Sequence, residues 1–527
     1  MAGFGVVGRF GEDELRAVLQ HPRDRPVEQD VLGLDVQFGV RIDALDLSWV
    51  AQMLGVSVAR RIRGGTLDSR CVRQGDLFVA VPGERVDGLK YVPDAIKAGA
   101  AAVVAERRPE LPPGVAFAQV RDARRSAGRV AELAYGFPAS NMRLIGITGT
   151  NGKTTTAHFT SLVLGEDKTE TISTITNTDE TQVEGPVTTP EAPSIHQRAS
   201  QAFREGKENL VLEVSSHSLS LDRVRSVDFD CAVFTNLTRD HLDYHESMAA
   251  YGNEKLKLFQ SLSGEDTAIV NSDDDFSKKI KRETQAEVLE YGLEEQADVM
   301  AREVEQFWQN TSFNIISPWG KTSVKLGFLG RYNVYNALAA ATVGLVKGRE
   351  LRGVVTDLES AKTLEGRMER IKLNNGSHIY VDFAHNPGAL RRTLSELKDI
   401  YDSVHVVFGC GGERDVGKRA EMAKKADQHA DAVVVTDDNP RNEAPEVIRT
   451  MIMQGFSDVS MADGKVVEIA DRRQAIAYAA ANAAAEDVIL VAGKGHEAYQ
   501  EINGLRHHYR DSDEVNKALN GRNDACN

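Results

Sequence analysis

This chain has few cysteines, no long apolar run and no excess of positive charge. Its four cysteines, Cys71, Cys231, Cys410 and Cys526, are far apart and form no C-x-x-C pair, so the sequence indicates neither a disulfide framework nor a zinc knuckle. No run of about 18 apolar residues occurs, and no apolar segment follows a basic N-terminus, so we expect a cytoplasmic protein that does not contact a membrane.

The charge balance also excludes a class of partner. The formal net charge of −15 at pH 7 argues against sequence-independent nucleic-acid binding, which needs a basic surface that releases counterions from phosphates. Small anionic substrates would therefore need local basic pockets. Since a single hydrophobic core stops growing at roughly 250–300 residues, we expect a chain of 527 residues to fold into several domains.

Short apolar strands alternate with helical stretches along most of the chain, which predicts an α/β protein. We place an N-terminal extension with a small α/β domain at 1–140, a central domain at 141–363 and a C-terminal domain at 364–527. Near-continuous apolar strands predict parallel sheets covered on both faces, and the last domain is Rossmann-like although it has no G-x-G-x-x-G fingerprint. Strands are predicted at 76–81, 101–105, 142–145, 209–214, 231–235, 379–382, 404–408, 432–436 and 488–492, with helices at 42–54 and 93–99. The first 45 or so residues are expected to be a loosely ordered extension.

The segment GITGTNGKTT at 146–155 runs from a predicted strand into a predicted helix. Glycines in such a loop turn backbone N–H groups toward an anion, while Lys153 supplies a charge and the Thr154 hydroxyl can bind Mg²⁺. Ile147 stands where the G-x-x-x-x-G-K-[ST] pattern has its first glycine. We therefore predict a shortened phosphate-binding loop, with an ordinary Gly/Thr-rich turn as the alternative.

Polar residues follow the next apolar strands. Glu213 ends one strand, where a carboxylate is a plausible Mg²⁺ ligand or a partner in a structural salt bridge. His241 lies in the dense polar stretch TNLTRDHLDYH after the following strand; it could bind metal, position phosphate or be an ordinary loop histidine. Lys255 lies in the helical stretch YGNEKLKLF, where a solvated basic face is the simplest interpretation.

Three further polar loops follow strands in the C-terminal domain, at 409–415, 436–441 and 493–497. Their residues Arg414, Arg441 and Glu497 could converge on one zwitterionic ligand, because guanidinium binds carboxylate and carboxylate binds ammonium. Ordinary turns with surface charges are the alternative. Upstream, Thr188-Thr189-Pro190 is interpreted locally as a helix cap.

Taken in order, the motifs of this chain resemble those of the Mur ligases: TLDSRCVRQGDLFVAVPG, GITGTNGKTTT, TTPEAP, EVSSHSLSLDRV, FTNLTRDHLDYH, YGNEKLKLF, LGRYNVYNALAA, EGRMER, VDFAHNPGAL, FGCGGERDVGKR, TDDNPR and VAGKGHEAYQ. The resemblance runs from about Thr66 to Asp511. It implies a small UDP-binding domain, a central P-loop ATPase domain with a parallel sheet and a C-terminal domain that binds the incoming amino acid.

The resemblance also assigns roles to individual residues. ATP would be bound by Gly149, Thr150, Asn151, Gly152, Lys153, Thr154, Thr155, Asn336, Arg367 and Asp382. One Mg²⁺ would be bound by Thr154 and Glu213, and a second by His241 and Lys255, the lysine being carbamylated. The catalytic group would be Lys153, Glu213, His241 and Lys255. The UDP-muramoyl peptide would be bound by Ser69, Thr188, Thr189, Ser215 and Arg223, and the amino acid by Arg414, Asn439, Arg441, Gly493 and Glu497. Leu221 departs from the family, whose members usually have a polar residue there.

The implied function is addition of the third amino acid, most plausibly meso-diaminopimelate, to UDP-MurNAc-L-Ala-D-Glu through an acyl phosphate, by a monomer acting on small molecules. L-Lysine or L-ornithine is the first alternative. A sibling ligase that adds D-glutamate, a dipeptide or folate-linked glutamate is disfavoured by GGERD and DNPR. A non-catalytic nucleotide-binding regulatory protein is the alternative of another class, and a purely structural protein would leave the ordered polar loops unexplained.

Overall fold

The computed structural model describes residues 45–46, 61–83, 86–136, 138–176, 188–373 and 376–524. The described residues form two compact units, each of which makes most of its contacts within itself. The first comprises described residues within 1–143, 191–208 and 223–228, and the second those within 144–190, 209–222 and 229–527. The predicted boundaries of three domains stay a prediction. Within the described ranges, no helix is long and apolar enough to cross a membrane.

The described strands and helices are numbered in chain order. The strands are β1 Leu45–Asp46, β2 Arg61–Ile62, β3 Gly65–Thr66, β4 Leu77–Val79, β5 Ala102–Ala105, β6 Ala116–Gln119, β7 Arg143–Thr148, β8 Thr169–Ile172, β9 Asn209–Glu213, β10 Cys231–Phe234, β11 Thr267–Asn271, β12 Glu287–Gly292, β13 Val299–Phe307, β14 Asn310–Ser317, β15 Gly320–Leu326, β16 Glu369–Lys372, β17 His378–Asp382, β18 Val404–Phe408, β19 Ala432–Val435, β20 Val466–Glu468, β21 Val488–Ala492, β22 Tyr499–Ile502 and β23 Leu505–His508. The helices are α1 Val92–Ala98, α2 Ala123–Ala134, α3 Lys153–Leu164, α4 Ala192–Arg204, α5 Ser216–Ser220, α6 Leu242–His245, α7 Met248–Gln260, α8 Ser277–Glu283, α9 Arg331–Val346, α10 Leu351–Glu359, α11 Pro387–Lys398, α12 Lys418–His429, α13 Pro445–Met453, α14 Asp458–Ala462, α15 Arg472–Asn482 and α16 Asp511–Asp524.

The first unit is built on the four-stranded parallel sheet β3-β4-β5-β6. Strand β4 contributes Leu77 and Val79 to one core and Phe78 to another, so the sheet is buried on both faces, as its continuous apolar strands predict. The predicted helix at 42–54 is wrong at Leu45–Asp46, which pairs with Arg61–Ile62 in an antiparallel ribbon. The rest of that predicted helix, like most of the predicted extension, lies outside the described residues.

The second unit contains a nine-stranded sheet in the order β15-β14-β13-β12-β11-β10-β7-β9-β8. Strands β7 and β10 to β13 pair in parallel, as do β8 and β9, which agrees with the predicted parallel sheet. Antiparallel strands β14 and β15 extend it beyond β13. Sequence reasoning missed this extension, because its strands alternate buried residues with exposed polar ones and carry a weaker apolar signal.

The same unit contains a six-stranded sheet in the order β16-β17-β21-β18-β19-β20, with β16 antiparallel to its neighbour and the other strands parallel. Its strand β18 sends Val406 and Phe408 into one core and Val407 into another. The predicted α/β class is therefore confirmed. Strands β18 and β21 have the predicted bounds; β21 is apolar throughout, and His405 is the one polar residue of β18.

A fully buried ion pair joins helices α15 and α16 in this second unit. The Arg472 guanidinium donates to both carboxylate oxygens of Asp511 at 2.8 Å, and Tyr509 donates its hydroxyl to the same carboxylate at 3.0 Å. Both charged side chains are 0% exposed. Burial alone would lower the pKa of Arg472, but the Asp511 carboxylate raises it above its ordinary value. Removal of either partner would leave the other charge buried and uncompensated.

We expect Asp511→Ala to reduce the free energy of unfolding by about 3–5 kcal/mol, the usual cost of breaking one partner out of a buried pair. Urea unfolding followed by circular dichroism measures this change. Asp275→Ala is the control, because it removes an exposed pair with Lys278 and should leave the unfolding midpoint unchanged. Equal midpoints for the two variants would contradict the assignment of Arg472–Asp511 as a structural pair.

Candidate active site

The loop at residues 149–152 connects β7 to α3, as the sequence predicts. Gly149 and Gly152 have φ angles of +148° and +88°, which residues with a side chain rarely adopt. A Cβ at Gly149 would collide with Thr235 Oγ1, and one at Gly152 with Asn336 Oδ1. Lys153 Nζ donates to the carbonyls of Gly149 and Thr150 at 3.0 and 2.9 Å. The ammonium therefore lies over the loop backbone, where a phosphate-binding lysine is needed.

The loop that follows β10 holds this phosphate loop in place. Thr150 N donates to the Asn236 carbonyl at 2.8 Å, and Asn151 N donates to Asn236 Oδ1 at 3.1 Å. In return, Thr235 Oγ1 donates to the Asn151 carbonyl at 2.7 Å. The loop after β7 and the loop after its neighbour β10 are thus held together by hydrogen bonds in both directions.

Helix α9 borders the same loop through buried amides. Asn336 Oδ1 accepts from Thr156 Oγ1 at 3.2 Å, and Asn336 Nδ2 donates to Asn333 Oδ1 at 3.0 Å. The predicted ATP residue Asn336 therefore lies beside Gly152. It is 180 residues away in the sequence from Thr156, to which it is hydrogen-bonded. Thr154 and Thr155 are buried in the first turn of α3.

Glu213 lies at the end of β9, which neighbours β7 in the sheet. Its carboxylate is fully buried and accepts from the backbone N and the hydroxyl of Thr174 at 3.1 and 3.2 Å. No ion pair to Glu213 is found in the part of the chain that the structure describes, so the alternative of a structural salt bridge is not supported. The charges of Lys153 and Arg367 act on the Glu213 carboxylate without forming an ion pair with it. A buried carboxylate and the Thr154 hydroxyl are oxygen donors of the kind that Mg²⁺ binds.

Lys255 lies on α7 and is buried, so the interpretation as a solvated basic face is wrong for it. Its Nζ donates to the Gly149 carbonyl at 2.8 Å and lies 4.4 Å from the centre of the Tyr251 ring. Burial, together with the Lys153 charge, holds the pKa of Lys255 well below its ordinary value. The solvated lysine of this helix is Lys257, which pairs with Glu254. A buried, neutral amine is the reactive form of lysine.

His241 has a left-handed backbone with φ of 53°. Its ring centre lies 5.0 Å from that of His217 and 6.1 Å from that of Tyr251, next to the helix that carries Lys255. Burial and the neighbouring charges of His217, His385 and Lys255 outweigh Asp240 and lower the pKa of His241. A neutral imidazole is the form that binds metal.

Asp240 is a buried residue of this cluster that sequence reasoning did not single out. Its Oδ2 accepts from Asn386 Nδ2 at 3.1 Å and lies 3.4 Å from His385 Nε2. Burial alone would raise the pKa of Asp240, but His385 and nearby cationic groups hold it well below its ordinary value. Asn386 also donates to Asn151 Oδ1 at 3.3 Å. The polar segments TRDH and FAHNP, each of which follows a strand, are visible in the sequence. The sequence does not show that these two segments contact each other.

Arg367 and Asp382 complete the predicted ATP set. Arg367 Nη2 donates to Thr154 Oγ1 at 3.2 Å, and its guanidinium carbon lies 4.5 Å from the Phe383 ring centre. Asp382 accepts from the backbone N of Met368 at 2.9 Å. Burial raises the pKa of Asp382 although Arg367 opposes the shift.

The predicted amino-acid residues form a second cluster, at the carboxyl ends of β19 and β21. Asn439 Nδ2 donates to Glu497 Oε2 at 2.7 Å, and the buried Lys494 Nζ donates to both side chains at 2.9 and 3.0 Å. Gly493 has φ of +117°, and a Cβ there would lie 2.7 Å from Asp438 Oδ2. Lys494 is a further site residue that sequence reasoning missed, although it stands within the GKGHE motif.

Two arginines border this second cluster. Arg441 Nη1 donates to the Gly412 carbonyl at 2.7 Å, and its Nε lies 3.9 Å from Glu501 Oε2. Arg414 is exposed. A Cβ on Gly411 would lie 2.8 Å from Arg441 Nη1 and 3.8 Å from Arg414 Cγ, so the two side chains approach the same backbone position.

The residues predicted to bind the UDP-muramoyl peptide are divided between the two units. In the second unit, Thr189 Oγ1 donates to the Glu213 carbonyl at 2.7 Å and accepts from Ser215 N at 3.1 Å, while Thr188 accepts from Thr174 at 3.2 Å. The interpretation of Thr188-Thr189 as a helix cap is wrong, because α4 begins after an N-cap at Glu191. In the first unit, Ser69 opens a short 3₁₀ helix and Arg223 pairs with Glu191 at 2.9 Å. Leu221 ends α5 without adding a polar group.

No group of three His, Cys, Asp or Glu side chains that could hold a metal is found among the described residues. Any Mg²⁺ would therefore have few protein ligands and would complete its shell with phosphate or water oxygens, which is how Mg²⁺ usually binds at nucleotide sites.

Comparison with known proteins gives a consistent result over most of the chain. Family models described as "Mur ligase family, catalytic domain", "Mur ligase middle domain" and "Mur ligase, glutamate ligase domain" match residues 61–135, 147–344 and 366–495. UDP-N-acetylmuramoyl-L-alanyl-D-glutamate–2,6-diaminopimelate ligase of Bacillus velezensis is 40% identical over 86% of this chain and 93% of its own length. The protein of the same name from Pseudomonas aeruginosa is 41% identical over 87% of this chain and 95% of its own.

Solved structures agree. A structure of a diaminopimelate ligase of that same name superposes with a TM-score of 0.62 at 31% identity and covers 91% of this chain and 99% of its own. The MurF ligase of Thermotoga maritima, solved with ADP, has a TM-score of 0.64 at 21% identity over 88% of this chain and 98% of its own. At that identity the second likeness concerns the fold alone.

We expect Gly152→Ala to abolish measurable binding of an ATP analogue in isothermal titration calorimetry, because its Cβ would collide with Asn336 Oδ1. Gly348→Ala is the matched control. Gly348 has a similar φ of +84° and open space at its Cβ position, so it carries the backbone strain without the collision. Retained affinity in the Gly152 variant would show that this loop is not the nucleotide site.

Proposed function

The chain belongs to the Mur ligase family, and we propose that it is the member that adds meso-diaminopimelate to UDP-MurNAc-L-Ala-D-Glu with hydrolysis of ATP, the MurE reaction of peptidoglycan-precursor synthesis. The family resemblance of the sequence motifs is confirmed by three family models and by relatives about 40% identical over most of the chain. The observation that carries the proposal is the presence, in one compact unit, of a phosphate loop and a pocket suited to a zwitterion.

In the proposed first step, a carboxylate oxygen of the peptide attacks the γ-phosphorus of ATP; the bond to the β,γ-bridging oxygen breaks, and an acyl phosphate and ADP form. The reaction brings two anions together, so catalysis depends on positioning and charge. The phosphate loop supplies backbone N–H groups, Lys153 supplies positive charge, and so does Arg367, which contacts the Thr154 hydroxyl. Burial lowers the pKa of Lys153, and the negative charge of a bound polyphosphate would act in the opposite direction.

Magnesium would be held by Thr154 and Glu213, and a second ion by His241 and carbamylated Lys255. The fit rests on the oxygen donors of Thr154 and Glu213, on the neutral imidazole of His241 and on the buried amine of Lys255. When bound, Mg²⁺ offsets the phosphate charge during transfer. Asp240, tied to Asn386, supports the loop from which His241 projects.

In the second step the amine of the incoming amino acid attacks the carbonyl carbon, the bond to the phosphate oxygen breaks, and inorganic phosphate leaves with a proton from the nitrogen. A protein nucleophile is unnecessary for this route. The role of the second cluster is to orient the amine and to exclude water from the acyl phosphate.

The choice of amino acid rests on the charges of the second cluster. Glu497 offers a carboxylate for an ammonium group, while Arg441 and Arg414 offer guanidinium groups for a carboxylate at the far end of the ligand. Diaminopimelate has that distal carboxylate, whereas L-lysine and L-ornithine do not. Both relatives described above are named for 2,6-diaminopimelate, which supports the same choice.

The proposal predicts phosphate release from ATP with UDP-MurNAc-L-Ala-D-Glu and meso-diaminopimelate, and none above background with L-lysine or L-ornithine. Arg441→Ala should lower kcat/KM for diaminopimelate about 10- to 100-fold, the usual effect of losing a charged hydrogen bond. Arg506→Ala is the matched control, because Arg506 Nε lies 3.9 Å from Glu501 Oε2, as Arg441 Nε does. Preferential use of lysine or ornithine would overturn the pocket, and nucleotide binding without acceptor-dependent turnover would favour the regulatory alternative.

Carbamylation of Lys255 predicts a carbon-13 carbamate resonance when the protein is incubated with carbon-13 bicarbonate. Carbon dioxide reacts with the neutral amine, and the lowered pKa of Lys255 gives it a larger neutral fraction at a given pH than an exposed lysine has. The resonance should therefore form at neutral pH, where exposed lysines are almost wholly protonated. Lys257→Ala should retain the resonance and Lys255→Ala should lose it; the reverse would contradict the assignment.

A further inference from the structure

Arg239 connects the two clusters and has no role in the function proposed so far. It lies in the loop after β10, immediately before Asp240 and His241. Its guanidinium reaches two carboxylates at the other cluster: Nη1 lies 3.1 Å from Glu421 Oε1 on α12, and Nη2 lies 3.6 Å from Asp415 Oδ2. The Arg239 side chain is 42% exposed, whereas that of Asp415 is 12% exposed.

Asp415 organises the loop at residues 411–417, which carries Arg414. Its Oδ1 accepts from Gly417 N at 2.9 Å. Its Oδ2 is buried and accepts no hydrogen bond among the residues that the structure describes, so the Arg239 guanidinium is the neighbouring positive charge. A Cβ on Gly417 would lie 2.7 Å from Arg239 Nη2, so the glycine leaves the space in which the guanidinium sits.

The opposite end of this loop is fastened from within its own sheet. Gly412 N donates to the Asn439 carbonyl at 2.9 Å, and Glu413 N donates to the Glu443 carboxylate. Arg239 supplies the attachment that comes from the phosphate side. The loop of the second cluster is therefore held at one end by the amino-acid pocket and at the other by the segment that carries Asp240 and His241.

We propose that Arg239 is a positioning residue that sets where the loop at 411–417, and hence Arg414, stands relative to the phosphate loop. The inference rests on the proposed ligase function and adds a determinant of amino-acid affinity to it. Loss of Arg239 would leave both clusters chemically complete and would let the loop with Arg414 move away from the phosphate side. The acceptor amino acid should then bind less well while ATP binds as before.

The test compares steady-state kinetics of the full-length wild type, Arg239→Ala, Arg239→Lys and the control Arg349→Ala. Arg349 pairs with Asp357 at 2.6 Å and is 37% exposed, which makes it a matched surface arginine away from both clusters. We expect Arg239→Ala to raise KM for meso-diaminopimelate about 2- to 10-fold, the range that exposed pairs at one arginine can supply. KM for ATP and the thermal unfolding midpoint should stay at their wild-type values, Arg239→Lys should recover part of the affinity, and Arg349→Ala should match the wild type.

A double-mutant cycle isolates the contact itself. Glu421→Gln should raise KM for the amino acid in the wild type and have little further effect in Arg239→Ala, because the two side chains act as one pair. An unchanged KM for the amino acid in Arg239→Ala, an equal loss of ATP affinity, or additive effects of the two substitutions would overturn the proposal. A wild-type protein that turns over with no amino acid would instead contradict the ligase function, so the two failures are distinguishable.

Discussion

The close contact between a glycine backbone and polar side chains from distant parts of the chain is the constraint on which the rest of the site depends. At Gly149 and Gly152 the missing Cβ atoms let Thr235 and Asn336 touch the phosphate loop directly. Those contacts fix the direction of the loop N–H groups and place Lys153 over them. They also bring the strand end that precedes His241 and the helix that carries Asn336 to one point.

Further polar contacts tie the phosphate loop to later segments of the same unit. Asn386 at the start of α11 contacts both Asn151 and Asp240, and Arg367 contacts Thr154. Asn386 and Asp240 are buried, and these contacts join segments that are distant in the sequence, which favours a single geometry of the site. In the proposed mechanism a carboxylate oxygen of the peptide is phosphorylated and the amine then attacks the carbon of the same carboxyl group, so a fixed relation between the two clusters has a direct chemical purpose.

Those parts of the fold and of the candidate site that depend on contiguous residues could be predicted from the sequence. The phosphate loop is contiguous, and apolar strands such as 488–492 mark their own ends. Lys255 shows the limit: the polar helical stretch YGNEKLKLF favoured a solvated basic face, whereas the fold buries Lys255 and leaves Lys257 exposed. Asp240, Asn386 and Lys494 were missed because their importance lies in contacts between segments that spacing cannot join. The strands β14 and β15 were missed because half of each faces solvent. The role proposed for Lys255 comes from the family resemblance and not from physical reasoning on the sequence.

The most direct test of the account follows oxygen atoms during one turnover. UDP-MurNAc-L-Ala-D-Glu labelled with oxygen-18 in its carboxylates is incubated with ATP, Mg²⁺ and meso-diaminopimelate, and the released phosphate is analysed by mass spectrometry. An acyl-phosphate route predicts that each phosphate released carries one oxygen from the peptide carboxylate. Unlabelled phosphate, with amide product formed at the same rate, would show that the carboxylate is never phosphorylated and would contradict the mechanism proposed for this site.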